Sequence, residues 1–142
     1  MDRCLNFSLS KQQLWLCLPL FIAYAADVTA TALGQSANYW GGAYQDVNEA
    51  NPISHWFLSI HPLAYITYRI IVFEVISFLI LILSMKIAKI TSTFFFLAHT
   101  LGAYGWIKNV FFVGYWERII LLFFLTVIFT YAYTQAETQI NQ

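Results

Sequence analysis

The sequence predicts an all-α integral membrane protein, a four-helix bundle with both termini in the cytoplasm, and three observations carry that prediction. Only 10% of the 142 residues are charged while 60% are hydrophobic, against about 25% charged in an ordinary soluble domain. Four stretches approach the roughly 20 mainly apolar residues that a helix needs to cross the hydrocarbon. Lysine and arginine are spread unevenly among the short connections, which is the bias that orients membrane helices. At this length the chain is expected to be one domain, residues 1 to 142, whose helices satisfy their own backbone polar groups in lipid.

The first helix is expected at about 13 to 33, "QLWLCLPLFIAYAADVTATAL". Arg3, Lys11 and the "AYA" at 23 to 25 also fit a cleavable signal peptide. The apolar run continues past that point, with Ala26, Ala30 and Gly34 in helical register, which favours a retained helix. An outer loop follows from 34 to 61, and its last part, "ISHWFLSI" at 53 to 60, is too short to span and reads as an interfacial segment. Proline suits the first turn of a helix, where its missing N–H would be unpaired anyway. Pro62 therefore starts the second helix, at about 62 to 85. The third is expected at about 92 to 113 and the fourth at about 118 to 133, short enough to require a tilt or a shallow end.

Orientation follows from the basic residues. Arg3 and Lys11 precede the first helix, Lys86 and Lys89 follow the second, and the 34 to 55 loop has none. That distribution puts both termini and the 86 to 91 turn in the cytoplasm of a multi-pass protein of the inner (plasma) membrane. Lys108 and Arg118 border the other turn without reversing the bias. Trp15 falls at the inner edge, and Trp40, Trp56, Trp106 and Trp116 fall near the outer one, as an aromatic belt requires.

Composition also excludes. Seven basic and seven acidic residues give zero net charge and no basic patch, so nucleic acid is not an expected partner. Cys4 and Cys17 make neither a disulfide framework nor a zinc site. There is no HExxH, GxSxG or Walker loop, and no cofactor is expected. Asp27, Glu49, His55 and His61 are metal-ligating residue types, but their spacing matches no recognised metal site.

The chemistry therefore rests on ionisable residues inside the spans: Asp27, Arg69, Glu74 and His99. Each is costly in lipid, so each is expected to face the bundle and find a partner. Counted from the outer helix ends at 1.5 Å per residue, Asp27 and Arg69 both lie about 10 Å deep. Glu74 and His99 fall about 18 to 21 Å deep, near the midplane. Two pairs are thus expected, Asp27 with Arg69 and Glu74 with His99, the second suited to a proton relay. Around the helix axis Arg69 and Glu74 are about 140° apart, so they are expected to face different neighbours, the first and third helices respectively. Asp27 and Thr31 share a face, so the hydroxyl can orient the carboxylate. Ala98 and Gly102 flank His99 with small residues that allow close helix approach. The plainer role for both pairs is fixing helix arrangement.

Read outward, the pattern is Asp27 and Thr31, then Glu49-x-Asn51-Pro52, then Pro62 and Arg69. Over roughly residues 20 to 85 this order resembles a family of small prokaryotic membrane proteins, a domain of unknown function. The family pattern is an aspartate four before a threonine, Glu-x-Asn-Pro before the next helix, and a basic residue inside that helix. The segment from Asp27 to Glu49 is longer here than in the family, and arginine stands where lysine is more usual. The resemblance implies a membrane location and no activity.

Two classes of function remain. The first is a non-enzymatic transport, channel or accessory module with a polar site opening outward, lined by Asp27, Glu49, Asn51, Arg69 and Asn109. Four short helices enclose little space, so a transporter of this size, set among membrane lipids, is expected to form a homo-oligomer or join a larger membrane complex. The second is a membrane-embedded enzyme acting on a lipid or polyprenyl-phosphate substrate, with Glu49 or Glu74 as acid/base and Arg69 on the phosphate.

Overall fold

The computed structural model describes residues 11 to 110 and 115 to 138, with side chains described from 11 to 107 and 119 to 137. The roles expected of Arg3, Cys4, Lys108, Asn109, Trp116 and Arg118 lie outside the described side chains. Six helices follow one another: α1 (Lys11–Leu33), α2 (Ala37–Trp40), α3 (Pro52–Ile60), α4 (Pro62–Ile82), α5 (Met85–Val110) and α6 (Tyr115–Thr138). Among the described residues there is no strand. Three helices, α1, α4 and the Ile119–Glu137 part of α6, are long and apolar enough to cross a membrane. Their outer faces are greasy, with Phe21, Ile70, Phe78 and Phe123 each more than half exposed. That distribution suits contact with lipid, since a soluble protein would bury such a contiguous apolar surface.

α1 is the centre of the molecule. It packs against α4, α5 and α6, most extensively against α5. Leu16 and Leu20 of α1 meet Ile76 and Ile80 of α4, Ala88 of α5 and Ala136 of α6 in one buried cluster. Ala23, Phe96 and Leu125 form a second, one turn further along α1. Polar groups close the gaps between helices. Gln13 Nε2 donates to the Ile80 and Leu83 carbonyls at 2.9 and 2.7 Å, satisfying acceptors that the end of α4 leaves open. Pro19 lies inside α1 and cannot donate to the preceding turn. Ser92 Oγ donates to the Leu16 carbonyl in that turn at 2.6 Å, tying α5 to α1 beside the proline.

Two helix ends differ from the expected ones by five residues or more. α5 begins at Met85 rather than near 92, because the stretch carrying Lys86 and Lys89 is itself helical. Only Leu83 and Ser84 separate it from α4, and the Ser84 carbonyl accepts the Ala88 N–H at 2.8 Å. α6 runs 24 residues, so it has no short end. Thr126, Thr130 and Thr134 satisfy their hydroxyls within the helix by donating to carbonyls four residues back, and Lys89 holds Glu137 near its end at 2.8 Å.

The 34 to 61 segment is folded over one end of α1 and α4. Ser36 caps the short α2, accepting the Tyr39 N–H at 3.1 Å. Gly42 turns the chain at φ 104°, a conformation other residues rarely adopt. Tyr39 is fully buried against Leu58 and Tyr65 and donates its hydroxyl to the Leu58 carbonyl at 3.1 Å. That burial, reinforced by neighbouring Tyr44, pushes the Tyr39 hydroxyl pKa up. The interfacial segment is the helix α3, whose Ile53, Trp56 and Ile60 stay exposed. His61 ends α3 and caps α4, its Nδ1 accepting the Leu63 N–H at 3.1 Å, with Pro62 in the first turn.

Candidate functional site

Helical spacing builds the site. Asp27 and Thr31 stand one turn apart on α1, Tyr65 and Arg69 one turn apart on α4, and Ala98, His99, Gly102 and Trp106 along one side of α5. With Glu49, Asn51 and Ser54 from the loop and α3, they enclose a cavity of about 260 Å³. The floor is a shared carboxylate. Asp27 Oδ2 accepts from Arg69 Nη2 at 2.9 Å and lies 2.8 Å from His99 Nδ1.

A carboxylate only accepts, so His99 Nδ1 must carry a hydrogen. The 3.4 Å approach of Arg69 Nη2 to the same nitrogen is then two donors side by side on one acceptor, not a bond between them. This fixes the tautomer and leaves the lone pair of a neutral His99 on Nε2. Arg69 is 7% exposed and lies over the Tyr24 ring, its Cζ 4.5 Å from the ring centroid. The same tyrosine meets the His99 ring edge to face at 4.4 Å and donates its hydroxyl to the Arg69 carbonyl at 2.5 Å. Among the described residues, Arg69 Nε is buried without a hydrogen-bond partner.

Close approach of α5 makes the floor possible. A Cβ at Gly102 would lie 2.5 Å from Asp27 Oδ1 and 3.0 Å from its Cγ, so only glycine lets this carboxylate sit against α5. Gly34 is similarly covered by the Trp106 ring.

The roof is held by a clamp. Gln35 Nε2 donates to the Thr31 and Asn48 carbonyls at 2.9 and 3.2 Å, and its Oε1 accepts the Asn48 N–H at 2.9 Å. The long segment after α1 is thereby brought back over Asp27. Next to the clamp, Glu49 Oε1 accepts the Asn51 N–H at 2.7 Å, and Asn51 Oδ1 accepts the Ile53 and Ser54 N–H groups at 3.0 and 3.2 Å. Glu49-x-Asn51-Pro52 is therefore the N-cap of α3, with proline where a missing N–H costs nothing. An open recess of about 350 Å³ shares Glu49, Gly102 and Trp106 with the cavity and continues toward Asn48 and Leu101.

Six of the residues singled out from sequence, Asp27, Thr31, Glu49, Asn51, Arg69 and His99, line this one cavity. Glu74 does not. It is exposed on the outer side of α4, and His99 pairs with Asp27 instead. The expected Glu74–His99 pair does not form, because a helix end near 113 puts His99 at the wrong depth. Counted from Lys11 and Met85, ends that pack together, Asp27 and His99 lie about 24 and 21 Å along their helices, within one turn. The four metal-ligating residues are not gathered either: His61 Nδ1 is occupied by the α4 cap, His55 is exposed with its Nδ1 3.2 Å from the Glu49 carbonyl, and among the described residues no three such side chains come together.

Several contributors were not singled out. Tyr65 had a signal, since it lies one turn before Arg69 on the same face. Gln35 had none, because its function is a loop contact that no periodicity encodes. Comparison of the chain with protein-family models, curated proteins and solved structures gives no match in any of the three.

Proposed function

We propose that this chain is a four-helix bundle of the inner (plasma) membrane, with both termini in the cytoplasm, acting as a non-enzymatic transport, channel or accessory module through an outward-opening polar site. The observation that carries this reading is the shared carboxylate, Asp27 Oδ2 holding Arg69 at 2.9 Å and His99 at 2.8 Å beneath the loop. Asp27 neutralises Arg69, His99 leaves the lone pair of Nε2 unused by that pair, and Glu49 adds a carboxylate at the rim. Such a site takes up a proton or a small cation and returns it as its surroundings change. The 34 to 61 segment contains Asp46 and Glu49 and no lysine or arginine, which favours approach by cations.

Chemical access tests the proposal. In a background lacking Cys4 and Cys17, Ala98→Cys places a thiol on the cavity wall for membrane-impermeant thiosulfonates. Relative to their rates with a small free thiol, the trimethylammonium reagent should be favoured over the sulfonate one from outside by a further factor of about ten, a modest electrostatic bias. Equal relative rates, or reaction only from the cytoplasmic side, would overturn the reading.

The Asp27–His99 pair favours a second reading, an enzyme acting on a lipid or polyprenyl-phosphate substrate. A carboxylate that fixes an imidazole tautomer is what readies histidine as a general base. Turnover of a polyprenyl monophosphate by the purified protein, lost in His99→Gln, would favour it over transport.

A further inference from the structure

Glu74 is left over by the cavity and makes no hydrogen bond or ion pair with any described residue. It lies about 18 Å along α4 from Pro62, past the middle of a helix apolar enough to span a membrane. An ionisable group exposed to hydrocarbon there is costly and normally has a partner. Its surroundings form a groove of about 390 Å³ between α1 and α4, lined by Phe21, Ala25, Thr29, Ile66 and Ile70 besides Glu74. Ala25 and Thr29, one turn apart, make a low strip on α1 where another helix can come close. No base within the groove is available, since the guanidinium of Arg69 at its back is held by Asp27.

We propose that a second copy of this chain docks in this groove, the two related by a two-fold axis along the membrane normal, so that the two Glu74 carboxyls hydrogen-bond to each other. Copies inserted in the same direction bring each residue near that axis against its own counterpart, at the same depth. A carboxyl group is complementary to itself once it shares a proton, because one O–H donates to the other group's oxygen. A lipid chain offers no such partner, and an unrelated helix must supply a donor at this depth, whereas a second copy always does. The groove backs onto the polar cavity through Arg69, but the inference rests on Glu74, which lies outside that cavity, and does not depend on the proposed function.

The test uses the full chain reconstituted in lipid, in a background without Cys4 and Cys17. Ile70→Cys, one turn from Glu74 on the same face, should form a disulfide-linked dimer under mild oxidation. Phe123→Cys, exposed on α6, should crosslink at least about tenfold more slowly, as chance collisions do. Adding Glu74→Gln, whose amide both donates and accepts, should preserve the crosslink. Adding Glu74→Leu should lower the dimer constant about three- to thirtyfold, the range spanned by interhelical hydrogen bonds. Because Glu74 is exposed, far-UV circular dichroism should be unchanged in both variants. Equal crosslinking of Ile70→Cys and Phe123→Cys, full dimerisation of Glu74→Leu, or a monomer at every protein density, leaving the groove to lipid or another protein, would each overturn the proposal.

Discussion

Gly102 and Gly105 are three residues apart on the same helix, yet a methyl group would have opposite consequences at the two. At Gly102 it would sit 2.5 Å from Asp27 Oδ1, so the carboxylate would have to leave Arg69 or His99, whereas at Gly105 no atom of the described residues lies within 4 Å. Gly102→Ala is therefore expected to cost about 1 to 3 kcal/mol by overpacking. Gly105→Ala should be neutral or slightly stabilising, since it only removes the entropic penalty of a helical glycine. Unfolding in mixed micelles measures both, and equal effects would mean that Asp27 is not held against α5. The sequence made Asp27 and Arg69 legible as partners because opposite charges at matched depth leave few alternatives in lipid. His99 was legible as a polar-site residue but not as a partner of Asp27, because a depth count is only as good as the helix end it starts from.

At the scale of elements, charged residues misled most where they lie at the boundary of the apolar layer. Lys86 and Lys89 read as a turn but belong to the first turns of α5, since a lysine marks the membrane surface without ending a helix. Proline and asparagine were better guides: Pro52 and Pro62 each start a helix, and Asn51 caps the first of them. How the loop returns to the site was hidden, because it depends on one glutamine clasping a backbone from a distance. Removing that clasp with Gln35→Ala should release Asn48 and Glu49 from α1 while leaving the α1 core intact. Hydrogen exchange should rise at least about tenfold across 46 to 50, the signature of local opening. Asn51→Ala should instead cost about 1 kcal/mol and raise exchange at Ile53 and Ser54, whose N–H groups lose their acceptor. Unchanged exchange across 46 to 50 in Gln35→Ala would show that the loop is placed by the buried Tyr39 cluster alone.

For the whole molecule, the all-helical class was readable because apolar runs of this length are the pattern of helices that satisfy their own backbone in lipid. The part that resisted was α5, which is long but carries Ser92, His99 and Thr100 through its middle. Ser92 and His99 face α1, Ser92 reaching the Leu16 carbonyl and His99 reaching Asp27, so the helix hides its polarity where an apolar one would show its character. The Lys89–Glu137 contact sets the start of α5 and the end of α6 at one end of the molecule, and the Gln35 clamp sets the loop at the other. If α1, α4, α5 and α6 all cross, the loop and those two ends must lie on opposite sides of the membrane. Asn38→Cys, exposed on α2, should be labelled by an impermeant thiol reagent in intact cells. Lys86→Cys and a C-terminal tag should be reached only after the membrane is opened. Labelling of both cysteines from outside would mean that α4 does not cross, and exposure of the tag alone would mean that either α5 or α6 does not.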